Sequence, residues 1–109
     1  MLRTAQQRKM LCRTCPVARV ADLVGDSCSL LILRDLLEKP RRFGELQESL
    51  SGVSSRTLAK KLKLLEREQI MRRKELRGHP AHVEYSLTPK GVALRPVVEA
   101  MRKYGKKYL

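Results

Sequence analysis

The spacing of apolar residues changes twice along this chain, and no other feature restricts its fold as much. Up to residue 70 apolar side chains recur every three to four positions; Val83, Tyr85 and Leu87 then alternate strictly; from Thr88 the longer spacing returns. Spacing of the first kind belongs to helices and of the second to strands, so the chain reads as four helices, a hairpin and a last helix. Val17, Val20, Ala21 and Val24 form the stripe of a helix over 16–24, opened by Pro16 and ended by Gly25. Leu30, Leu31, Leu33, Leu36 and Leu37 make the next helix, 27–38, apolar over most of its circumference, which predicts a central core element stopped by Pro40. An extended piece at 41–43 leads to a third helix over 44–50. After the turn "SGVS", Ser54 is the natural N-cap of a fourth helix that reaches Glu68.

Residues 70–76 and 82–88 are the predicted strands, joined by the Gly- and Pro-containing loop 77–81. Thr88 caps the last helix, Pro89 opens it, and Pro96 should kink or restart it. The expected fold is therefore mainly α with a small β-hairpin: a helix-turn-helix followed by a wing. The domain proper spans 16–109, behind a basic arm at 1–15.

Charge bears on partners rather than on fold. The net charge is +13, from 24 Lys and Arg against 11 Asp and Glu. It is unevenly placed: 22–50 holds four basic and six acidic residues, whereas 54–77 holds nine basic and three acidic. Such segregation points to a polyanion-binding face, with double-stranded DNA first among candidates. No run of 18 apolar residues marks a membrane span, and no long apolar segment near the N-terminus marks a secretory signal. A cytoplasmic protein without membrane partner is expected; three cysteines without a dense framework fit a reducing compartment.

The fourth helix concentrates this charge. With Leu58 as reference direction, Leu62 and Leu65 fall within about 40° of it, while Arg56, Lys60, Lys63 and Arg67 fall within about 40° of the opposite direction. A surface helix with only a structural role is expected to mix signs along such a line. A row of cations without counter-charge implies that phosphates supply it. Ser54, Ser55, Arg56 and Thr57 form the N-terminal turn, the part that enters a major groove; Arg56 is the candidate for a guanine edge. Lys60, Lys61 and Lys63 are candidate phosphate contacts. Arg42, Arg73, Lys74, Arg77 and His79 extend the surface, with Arg77 assigned to the minor groove.

At this point a resemblance enters. "CPVARVADLVGDSCSLLILRDLLEKPRRFGELQESLSGVSSRTLAKKLKLLE", followed by "HVEYSLTPKG", resembles the HxlR-type winged helix-turn-helix transcriptional regulators over nearly the whole chain. The resemblance implies a prokaryotic DNA-binding homodimer paired through its first and last helices, with "SSRTLAKKL" in the recognition helix. A pseudo-palindromic operator and a repressor role follow from it. Leu11, Val17 and Val20, with the stripe Leu94, Val97, Val98, Met101 and Tyr104, are the expected dimer contacts; that stripe is expected to exceed what one small core can cover, the alternative being that it is entirely internal. The chain departs from the family at Cys28, where an aromatic is usual, and near Gln69, where glycine is usual.

Cys12 and Cys15 lie in "CRTC". Cys15 matches a family cysteine that senses oxidants or electrophiles in several members. Its place at a helix N-terminus between Arg13 and Arg19 favours a thiolate, and Cys12 stands ready to resolve a sulfenic acid. A small buried residue beside a dimer helix is the competing reading. No metal or cofactor is expected: two histidines flanking Pro80 without a carboxylate pair make a poor site, and one cysteine pair cannot complete a structural zinc site alone. No enzyme activity is expected either, since no βαβ pattern surrounds the CxxC. The alternative function is a winged-helix protein that packs DNA without sequence preference.

Overall fold

A computed structural model describes residues 4–7, 15–78 and 82–109. Helix α1 (Pro16–Val24) is followed by α2 (Ser27–Glu38), a two-residue strand β1 (Arg41–Arg42) and α3 (Phe43–Ser49). Then come α4 (Ser55–Arg67), strands β2 (Met71–Glu75) and β3 (Val83–Leu87), and helices α5 (Pro89–Val92) and α6 (Arg95–Tyr108). The strands form one antiparallel sheet in the order β1-β3-β2.

Caps set the boundaries. Asp26 accepts the backbone N–H of Ser29 at 3.0 Å and starts α2. Ser54 accepts that of Thr57 at 3.1 Å and starts α4. Thr88 accepts that of Gly91 at 3.2 Å and starts α5. The expected kink at Pro96 is a restart: α5 ends at Val92, and Pro96 falls in the first turn of α6, where its missing N–H has no partner to lose. The piece at 41–43 is shorter than expected, yet Arg41 and Arg42 pair with Tyr85 and Glu84, so the wing is anchored to the helical body by a third strand.

Helix α2 is central, as its composition requires. Ile32, Leu33, Leu36 and Leu37 are buried against Leu46 and Leu50 of the α3 region, Leu58, Leu62 and Leu65 of α4, and Ile70 and Met71 at the start of β2. Leu30 and Leu31 escape this core; they turn toward the side where α1 and α6 run. Val98 is 8% exposed and Leu94 packs on the same core, so these two members of the expected dimer stripe already have partners inside the chain. Leu11 lies outside the described residues.

Candidate nucleic-acid interface

Helix α4 is held by its leucines and offers its cations outward. Leu58, Leu62 and Leu65 are buried, while Ser54, Ser55, Arg56, Thr57, Lys60, Lys63 and Arg67 are exposed. Arg67 lies eleven residues beyond Arg56, a row about 16 Å long at 1.5 Å per residue. Among the described residues, none of the ion pairs found involves Arg56, Lys60, Lys63 or Arg67. The Ser54 hydroxyl is occupied by capping, and it also lies 3.0 Å from Thr57 Oγ1. Its backbone and that of Ser55 remain at the helix N-terminus, where amide groups and the helix dipole favour an anion.

Lys61 is different from its neighbours. Its side chain is 19% exposed, and its ammonium lies 3.4 Å from Asp26 Oδ2. The angle arithmetic that separates the leucines from the cations puts Lys61 about 60° from Leu58, on the core flank, which is the sequence signal for its inward turn. Its charge is answered within the chain, and the interface proposed below leaves it out. Burial acts to raise the Asp26 carboxyl, but the Ser29 N–H and the Lys61 ammonium outweigh it and hold the group below its ordinary value.

The wing brings a second set of cations together. Arg42, Lys74 and Arg77 line one cleft of about 470 Å³ with Leu76 and His82. The register explains it: Arg42 and Lys74 both stand opposite Glu84, on the two flanking strands, and so share a face. Arg73 belongs to the other face, opposite Tyr85, with its guanidinium 3.6 Å from Glu75. Arg77 has φ 56° and is followed by Gly78 at φ 66°, so the ribbon turns through the left-handed region, at a cost of roughly 1–2 kcal/mol for the arginine. His79 lies outside the described residues.

At the junction between α4 and β2 stands Gln69, where glycine is usual in the family that the sequence resembles. Gln69 adopts φ 62°, the conformation for which glycine is usual. Around it, the Thr88 hydroxyl lies 2.5 Å from the Gln69 carbonyl oxygen and 3.1 Å from that of Ile70, so its proton can reach either. Lys90 donates to the Glu68 carbonyl at 3.0 Å. A Cβ on Gly91 would fall on the Ile70 carbonyl oxygen. The segment "TPKG" thus clamps the end of α4 and sets how the wing leaves it.

Away from the basic face lies an apolar one. Val17, Val20, Val97, Met101 and Tyr104 are exposed, and Val17, Val20, Leu30, Val97 and Met101 line a groove of about 450 Å³. The Tyr104 and Tyr108 rings continue this line, 5.0 Å apart. Cys15 directly precedes Pro16, which also lines the groove: it is exposed, it is the N-cap of α1, and its Sγ accepts the Ala18 N–H at 3.3 Å. Cys12 lies outside the described residues. Cys28 is buried in α2, where burial, with the Asp26 carboxylate nearby, pushes its thiol up.

Residues 23–109 match the family model for an HxlR-like helix-turn-helix. The HTH-type transcriptional regulator sll1512 of Synechocystis sp. is 41% identical over 95 residues, covering 87% of this chain and 70% of that protein. The solved structure of the redox regulator HypR in its reduced form superposes with a TM-score of 0.79 at 30% identity, covering 84% of this chain and 90% of the other. The reduced form of the transcriptional regulator YodB from Bacillus subtilis gives 0.73 at 35% identity, with 87% and 94% covered; YodB has also been solved quinone-bound and diamide-treated.

Proposed function

This chain belongs to the HxlR-like helix-turn-helix family of transcriptional regulators, and from that premise we propose that it reads one double-stranded operator as a homodimer and represses by occupying it. The observation that carries the reading is the outward row of Arg56, Lys60, Lys63 and Arg67, unpaired among the described residues, on a helix anchored by three buried leucines. In this reading Arg56 bonds a base edge, worth about 1–3 kcal/mol of discrimination. Ser54, Ser55 and Thr57 hold phosphates beside it. Lys60, Lys63 and Arg67 neutralise the backbone, and Arg42, Lys74 and Arg77 take a second phosphate run along the wing, with Arg73, on the other face, and His79 as further candidate contacts. Two copies pair through the groove lined by Val17, Val20, Val97 and Met101. Twofold symmetry then calls for a pseudo-palindrome with half-sites about 34–36 Å apart, or a multiple of that.

Cys15 is the proposed sensor. It is exposed and directly precedes Pro16 of the pairing groove, and HypR and YodB, which share this fold, are a redox regulator and a regulator solved with quinone and diamide. A peroxide would convert its thiolate to a sulfenic acid, which Cys12 condenses with, releasing water to leave a disulfide. A change at that point alters how the two α1 helices meet and hence the spacing of the reading heads.

The test is selection of bound sequences from a random duplex pool, followed by competition with random DNA. A regulator prefers its selected site by about 10³ or more. Equal competition would instead identify a packing protein. Repeating the binding with diamide, on the natural chain and on Cys15→Ser, tests the sensor: release should require Cys15, and unchanged release from the variant refutes the role.

A further inference from the structure

The recognition helix is packed through Leu58, Leu62 and Leu65 and clamped at its C-terminal end by Lys90 and Thr88. One polar tie on its core flank is directional. Lys61, near the middle of α4, reaches Asp26 Oδ2 at 3.4 Å with a side chain four-fifths covered. Asp26 is itself immobilised, since the same oxygen accepts the Ser29 N–H at 3.0 Å as the N-cap of α2. It also follows Gly25 at the corner where α1 ends, and α1 carries Val17 and Val20 of the exposed apolar groove.

We infer that Asp26 and Lys61 are a positioning pair that fixes the rotation and axial register of the recognition helix relative to the pairing face, so that Lys61 governs sequence preference without touching DNA. The inference rests on the DNA-reading function proposed above. Partly exposed ion pairs contribute little to stability, so the role of this one is geometric. Releasing Lys61 removes the directional tie between the capped start of α4 and its clamped end. Arg56, at the far end of a long side chain, then loses the bidentate alignment that discriminates bases, while the exposed lysines keep enough freedom to follow the phosphates.

A phosphate contact and a positioning contact have different signatures. Removing a phosphate contact weakens specific and random DNA alike and lowers the salt slope by about one. The experiment measures affinity for the selected operator and for random duplex of equal length, across a salt series. It compares the natural chain, Lys61→Met, Asp26→Asn and the double variant, with thermal melts alongside. Methionine keeps most of the packed stem, and asparagine keeps the capping acceptor, so both folds should persist; if Lys61→Met does not fold, Asp26→Asn alone decides. The expected result is a roughly tenfold fall in the operator-to-random ratio for each single variant, an unchanged salt slope, and no further loss in the double variant, the mark of coupled residues. Uniform weakening with a reduced slope for Lys61→Met, or an unchanged ratio in Asp26→Asn, overturns the inference. Failure of the underlying reading is separate: it shows as a natural chain with no operator preference at all.

Discussion

At Asp26 one carboxylate caps a helix and receives an ammonium, and its charge strengthens both interactions. Its folded value is lowered below 3.8. The stabilisation is therefore complete above about pH 4, the unfolded value, and is lost as pH falls through the folded one. Acid melts of Asp26→Asn should lose less stability than the natural chain as pH falls below about 4, a difference that calorimetry reads directly. Along the outer row, residues differ by position. Arg56→Ala should remove much of the operator preference, whereas Lys63→Ala should weaken operator and random DNA alike and lower the salt slope by about one. Competition binding across salt distinguishes the two; an unchanged affinity in both would mean the row faces elsewhere in the complex.

Among the elements, the α4–β2 junction carries visible strain. A side chain at left-handed φ costs roughly 1–2 kcal/mol, and glycine returns part of that by loosening the unfolded chain. Gln69→Gly should therefore raise stability by about 0.5 kcal/mol, a melting shift of about 2–4 °C. Gly91→Ala should do the reverse and more severely, because its Cβ meets the Ile70 carbonyl, which is backbone and cannot turn aside. The helices were legible because their signals are local: Pro16, Asp26, Ser54 and Thr88 stand where caps and first turns need them, and Leu58, Leu62 and Leu65 repeat at helical spacing. What was not legible depends on contacts between distant segments. Nothing near Arg41 announces its pairing with Tyr85, and nothing near Glu68 announces Lys90. A phosphate contact suits the type of Lys61 and its place along the helix, but its angle from Leu58 points toward the core, and no local signal places Asp26 against it.

For the whole molecule, the account is one of two faces: cations on α4 and the wing, apolar side chains on α1 and α6. Val17 and Met101 are 76% and 49% exposed, a surface that water disfavours and a second copy can cover. Val20→Glu together with Met101→Glu should give a folded monomer by sedimentation. That monomer should bind operator far more weakly than the natural chain, since each half-site is then held alone. A double variant that stays dimeric would locate the pairing surface elsewhere. The division of faces is itself open to one direct measurement, a titration of isotopically labelled protein with operator duplex followed by backbone amide resonances. The account predicts shifts concentrated in 54–67 and 72–78, with 16–24 and 97–108 left nearly unmoved. Shifts concentrated on those two segments, with 54–67 silent, would contradict it.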